Sequence, residues 1–188
     1  SNAQGQRFHD ETQGYSEAAV HVLAQPGGIA WNVFDDPLLR FAQDFPDFCE
    51  AQAAGAVHRC ADVAALAAHI GCDAVVLSKT LADVCEGVEP VTGRHFKRSL
   101  TAPFHAVRVT GALFHTQGGL DINAHCQVLR PDGLPLPNLL AAGGAARGVS
   151  GDAVWGYLSG NGLLSAIAGG DIAAHTAAQI ARQTPIKP

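Results

Sequence analysis

Hydrophobic and polar positions fall into two regimes along this chain. Between residues 16 and 24, Ala18, Ala19, Val22 and Leu23 share one helical face behind Ser16 and Glu17, which predicts a short helix with Ser16 as its N-cap. Pro26-Gly27-Gly28 stops that helix, and the β-branched and aromatic run 29–34 reads as a strand. Residues 37–48 read as helix in pieces, with Pro37 at N1 and a break at Pro46. Asp62 is placed to cap a helix over 63–70 that Gly71 ends. Asp73 is placed to cap a second helix over 74–86, with Val76, Leu77, Thr80, Leu81 and Val84 inward; the two form an αα-hairpin. Residues 87–100 carry Arg94, His95, Lys97 and Arg98 and read as a mobile surface loop.

From Pro103 the period changes from helical to twofold. Residues 104–109 alternate apolar and polar, 112–115 form a short apolar run, and 120–122 and 127–129 flank a turn at Asn123-Ala124. Pro131-Asp132-Gly133 is a further turn. This β-meander leads into 138–178, NLLAAGGAARGVSGDAVWGYLSGNGLLSAIAGGDIAAHTAA. There a short apolar run ends in Gly143-Gly144, a glycine-dense loop follows, and Gly160-Asn161-Gly162 opens a long Ala/Leu/Ile helix. The expected class is α+β, with residues 4–102 as a helical and strand segment and 103–188 as a β-meander plus C-terminal helix. Ser1-Asn2-Ala3 reads as an expression-tag scar.

Composition narrows the function classes. The chain has 188 residues, 47% hydrophobic and 15% charged, as a folded chain should. A net charge of −5 without a basic stripe argues against nucleic acid, and no apolar run approaches the ~20 residues of a membrane helix. Five cysteines without a CxxC pair fit free thiols in a reducing cytoplasm, most of them as small buried hydrophobes. Nine histidines show no HxH, HxxxH or HExxH spacing, so no metal site is expected. The chain has no methionine, which implies that residue 4 onward was cut from the interior of a longer protein or that its start was removed by design.

The chemistry concentrates in the glycine-rich stretch. Glycines let backbone N–H groups approach a ligand closely, and a helix N-terminus adds about half a positive charge, so the stretch suits an anionic or electron-rich ligand. Residues 160–165 match GxGxxG only superficially, since Ser165 fills the last position and no strand feeds it. Walker and GxSxG patterns are absent, which disfavours a hydrolase built on Ser150. His115 stands at a strand end before Thr116-Gln117-Gly118-Gly119, where a side chain and backbone amides can face one ligand; it is a candidate donor to a substrate carboxylate or carbonyl.

Together, FHTQGGLDINAHCQVLRPDGLPLPNLLAAGG, GVSG and SGNGLLSAIAGGDIAAHTAA resemble the C-terminal part of the fumarate reductase/succinate dehydrogenase flavoprotein family. The likeness is greatest to its soluble FAD-dependent members, among them tricarballylate and 3-ketosteroid dehydrogenases. Gly5-Gln6-Arg7-Phe8 through Glu11 resembles the start of that family's cap-domain segment, and 31–35 its Y-x-I-F-D strand. The resemblance implies most of a cap (substrate) domain over 4–102 and the returning C-terminal part of an FAD domain over 103–188, without the N-terminal GxGxxG unit. It implies His115 as substrate-binding and catalytic histidine, Gly118 and Gly119 beside the substrate, and Gly143, Gly144, Gly160, Asn161, Gly162, Leu163 and Leu164 facing the flavin.

Three departures accompany it. The family's acidic residue after A-A-G is Gly144, the expected cap-domain arginine is missing with Tyr15 nearest, and 152–157 with Tyr157 stands where a substrate-clamping arginine belongs. Arg147 is close by but does not align. A dicarboxylate wants arginine forks, so a less charged substrate is expected, with Tyr15 or Tyr157 handling the proton. The expected function is thus a fragment of an FAD-dependent oxidoreductase acting on a C–C bond of a small-molecule substrate, inactive and without bound FAD in isolation. The alternative is a non-enzymatic remnant or interaction module that dimerises through an exposed apolar face.

Overall fold

The computed structural model describes residues 1–85, 87–88, 92–113 and 116–183. These fall into two compact units, Ser1–Ala112 and Leu113–Pro188.

In the first unit α1 (Tyr15–Leu23) precedes β1 (Ile29–Asp35), α2 (Asp36–Ala42), α3 (Pro46–Ala53), β2 (Val57–Cys60), α4 (Val63–Ile70) and α5 (Ala74–Asp83). A short hairpin of β3 (Gly87–Val88) and β4 (His95–Phe96) and the strand β5 (Phe104–Thr110) complete it. Asp62 caps α4 by accepting from Ala65 N at 2.8 Å, Gly71 ends it at φ 82°, and Asp73 caps α5 through Val75 N at 2.7 Å, as expected. Ser16 is not a cap: Gly14 holds that position without a side-chain bond, and Ser16 lies within the first turn of α1.

The sheet is antiparallel with order β1-β5-β2. β5 therefore leaves the anticipated meander and becomes the central strand of the first unit, Phe34 opposite His105 and Cys60 opposite Phe104. For that reason the units divide at Ala112/Leu113, later than the expected 102/103. The strand β2 was not anticipated, because Val-His-Arg-Cys is short and half polar. One face of the sheet packs on α4 and α5: Leu66, Leu77 and Ala106 are fully buried with Cys60, Phe104 and Ile70. Burial of a leucine of this kind stabilises the fold by about 1.5–3 kcal/mol.

Two polar anchors close this unit. Asp35, fully buried, accepts two hydrogen bonds from Arg98 at 2.6 and 2.8 Å and one from Thr101 N at 3.2 Å, and it caps α2. Arg94 and Arg7 both reach the Glu11 carboxylate, and both guanidinium groups lie over the Phe96 ring. Arg94 and Arg98 in the stretch read as a mobile loop are thereby tied down. Ser1–Ala3, read as a tag scar, are integrated in the fold: Ser1 pairs with Trp31, and the buried Asn2 accepts from Gln4 N and Gln6 N, each at 3.0 Å.

The second unit is a hairpin of β6 (Gln127–Leu129) and β7 (Pro135–Leu140) joined through Gly133 at φ 81°, followed by α6 (Asn161–Gln183). Residues 120–122 form only isolated bridges, Leu120 with Ala146 and Ile122 with Val128. Val128, Ala141 and Ala146 form its small core with Ile122 and Leu136. The α+β class with a long C-terminal helix holds.

Candidate functional site

The glycine-rich stretch of the second unit is built by close backbone approaches. Residues 117–120 run beside 145–148: Leu120 N donates to Ala145 O at 2.9 Å, Arg147 N to Leu120 O at 3.0 Å and Gly148 N to Gln117 O at 2.9 Å. A Cβ on Gly119 would overlap the Ala146 carbonyl, one on Gly148 would overlap Gln117 Oε1, and one on Gly156 the Ser150 carbonyl oxygen. Gly119 and Gly156, which face backbone, are packing requirements; at Gly148 the flexible end of the Gln117 side chain can move aside. Gly118, by contrast, has nothing within 4 Å of a built Cβ, and neither do Gly144, Gly160 and Gly162. The loop thus holds itself together through one set of glycines and leaves another bare.

Helix α6 docks on this loop through small residues. A Cβ on Gly143 (φ 57°) would come 3.1 Å from Ala166 Cβ, and one on Gly169 would come 3.0 Å from Ala142 Cβ. Cys126 Sγ adds a bond to Gly169 O at 3.3 Å. Gly160, at φ 92°, turns the chain into the helix, and Leu164 N donates to Gly160 O at 2.9 Å. Asn161 Nδ2 donates to Ser150 Oγ at 2.9 Å, tying the helix start to the middle of the loop. Ser150 and Gln117 hold the loop through bonds that the spacing of its motifs did not signal.

Leu163, Leu164 and Ile167, each 65% exposed or more, face outward from the first turns of α6. Tyr157 is half-buried directly after the 3₁₀ turn Val154–Gly156, while Trp155 and Leu158 are exposed. Arg147 does not stand free as a clamp: its Nε pairs with Asp121 Oδ1 at 3.0 Å, on the surface. His115 lies outside the described residues. Tyr15 opens α1 in the first unit and is exposed. Gly118, Gly119, Gly143, Gly144, Gly160, Asn161, Gly162, Leu163, Leu164 and Tyr157 all lie in the second unit. Among the described residues no group of three His, Cys, Asp or Glu side chains is placed to hold a metal ion, and no single helix is long and apolar enough to cross a membrane. All five cysteines are free; Cys60 and Cys126 are buried, whereas Cys49 and Cys85 are exposed and so are not core residues.

A long helix whose N-terminus is fastened to an open glycine loop, carried on a β-hairpin, favours an anionic or electron-rich ligand at its start. The family model described as FAD binding domain matches residues 1–163, and the chain belongs to that family. It is 31% identical over 184 residues to the probable fumarate reductase Ifc3 of Shewanella frigidimarina (strain NCIMB 400), covering 95% of this chain and 30% of that protein. The solved open conformation of a flavocytochrome c3 fumarate reductase is similar at a TM-score of 0.74 and 31% identity, over 96% of this chain and 32% of that one. The 3-ketosteroid delta1-dehydrogenase of Sterolibacterium denitrificans shares the fold at a TM-score of 0.71 and 23% identity, over 95% of this chain and 38% of its own. The chain therefore spans about a third of the length of these relatives.

The bare glycines fit part of the family's cofactor. Backbone without Cβ at Gly144, Gly160 and Gly162 lets a flat ring lie against amides, and the N-terminus of α6 favours negative charge there.

Proposed function

We propose that this chain supplies the flavin-ring and substrate-facing part of an FAD-dependent oxidoreductase that moves a hydride and a proton across a carbon–carbon bond of a small molecule. The observation that carries this reading is the fastening of the α6 N-terminus to a loop whose Gly144, Gly160 and Gly162 are open. When bound, FAD supplies the hydride acceptor or donor. Around it, Gly143, Gly144, Gly160, Asn161, Gly162, Leu163 and Leu164 bound the ring. His115, Gly118 and Gly119 hold the substrate, and Tyr15 or Tyr157 carries the proton.

The substrate is less charged than a dicarboxylate. The loop over 149–160 contains no arginine, Arg147 is already engaged by Asp121, and Val149, Trp155 and Leu158 are exposed apolar side chains. The phosphate-holding part of the cofactor site has no counterpart motif in these residues, so the isolated chain is inactive and holds no FAD.

The test is the flavin spectrum of the parent protein with and without Gly162→Val. Loss of the flavin bands with folding intact supports the reading; full flavin content and unchanged turnover would overturn it. A second reading, association of isolated chains, draws on the exposed Leu163, Leu164 and Ile167. It predicts a dimer on size exclusion that Ile167→Lys returns to monomer.

A further inference from the structure

Arg7 and Arg94 share one carboxylate in the first unit. Arg94 Nη1 and Arg7 Nη2 each donate to Glu11 Oε2 at 2.6 Å, and Arg7 Nε donates to Glu11 Oε1 at 2.8 Å. Burial pushes the Glu11 carboxyl up, but the two guanidinium groups outweigh it and hold it down at about 2. Glu11 is thus a full anion, and it offsets one of the two cations. Both guanidinium groups also lie over the Phe96 ring, which fixes their place. Arg94 Nε and His9 Nδ1 are buried and have no hydrogen-bond partner among the described residues. Leaving buried polar atoms unmet is costly, so each such atom asks for a partner.

These side chains line one cavity of about 370 Å³, a volume typical of small-molecule sites, and all of them belong to the first unit. Glu11 is the one carboxylate among the described lining residues, against Arg7, Arg94, Lys97 and Arg98. Arg98 is matched by Asp35, and Lys97 is exposed to water. The excess that remains inside is therefore one positive charge, from Arg7 and Arg94 against Glu11. Much of the other wall is apolar, with Trp31, Val33, Leu81 and Leu100 in it.

We infer that this cavity binds an organic monoanion: a single carboxylate carried on an apolar body such as an aromatic ring system. The carboxylate accepts from Arg94 Nε–H and, when His9 carries its proton on Nδ1, from His9 as well. Its one negative charge balances the one left over from the pairing of Arg7 and Arg94 with Glu11. The apolar body lies along Trp31, Val33, Leu81 and Leu100, where burial of its surface supplies the driving force. This inference does not depend on the proposed oxidoreductase function.

The experiment titrates the 188-residue chain with naphthylacetate, followed by calorimetry and by the Trp31 indole resonance. Two comparison probes are naphthylacetamide, which lacks the charge, and acetate, which lacks the apolar body. Naphthylacetate is expected to bind saturably with a Kd below about 1 mM and to shift the Trp31 signal, and the other two to bind about tenfold more weakly or worse. Arg94→Lys keeps a cation beside Glu11 but removes the Nε–H, and should weaken binding about tenfold or more. Val22→Trp places a large side chain in the cavity from α1, which contributes no fully buried side chain to the core, and should abolish binding. Melting curves establish that each variant is folded; should Arg94→Lys fail to fold, Val22→Trp decides. No saturable binding up to about 10 mM overturns the inference. So does an amide that binds as tightly as the acid, or binding that survives either substitution with the fold intact.

Discussion

Arg98 closes its guanidinium fork on Asp35, a fully buried carboxylate at the end of β1 that lies 63 residues earlier in the chain. The same carboxylate caps α2 and accepts from Thr101 N, so one side chain joins the strand end, the following helix and the approach to β5.

Removing Arg98 leaves that buried charge uncompensated. Arg98→Ala is expected to destabilise the chain by about 3–5 kcal/mol in urea unfolding, and the Asp35→Asn/Arg98→Ala pair by less than the sum of the single changes. The Arg98 hydrogen bonds hold the Asp35 carboxyl below the usual carboxylate range against the opposing effect of burial. A folded pKa below the unfolded one gives stability that is complete above the unfolded value. It is lost as pH falls through the folded one, so the loss sets in below about pH 4. An acid titration of stability on the wild type and on Asp35→Asn measures it, and the variant should show a shallower acid limb.

The amino terminus acts in a higher window. Burial lowers the Ser1 amine to about 6, so its contribution is complete above pH 8 and is lost as pH falls through 6. Two pKa units correspond to about 3 kcal/mol. Acetylation of the amine should flatten the stability profile between pH 8 and 6, as read by denaturant midpoints at matched pH.

Gly119 and Gly118 should separate packing from ligand contact. Gly119→Val forces a side chain into the Ala146 carbonyl and is expected to cost roughly 1–3 kcal/mol or more, seen as a lowered melting temperature of the second unit. Gly118→Ala meets open space and should leave stability within about 0.5 kcal/mol. In the parent protein it should instead raise KM, if Gly118 borders the substrate as proposed.

Asn161→Ala removes the bond to Ser150 Oγ that fastens the start of α6. A loss of about 1 kcal/mol in stability is expected. In the parent protein it should weaken flavin retention more than Ser165→Ala does, because Ser165 bonds only to carbonyls of its own helix. Apo-protein fractions after dialysis measure the difference.

Features governed by neighbours a few residues away were readable along the chain. Asp62 and Asp73 as caps, Gly71 as a left-handed stop, the turn at Gly133 and the opening of the long helix at Gly160 each depend on local hydrogen bonds and on φ. The flavoprotein family was readable as well, because its motifs are contiguous.

Tertiary structure decided what depends on distant partners. Periodicity marked β5 as a strand, but only long-range pairing places it between β1 and β2 and moves the division of the chain to Ala112/Leu113. Arg94 and Arg98 read as part of a mobile surface loop, and only the fold brings Glu11 and Asp35 within their hydrogen-bond reach. The glycines of the site look alike in sequence. Whether one is a packing necessity, as Gly119 is, or an open face, as Gly118 is, depends on which backbone passes within 4 Å, and that is set by the folded neighbours rather than by the residue itself.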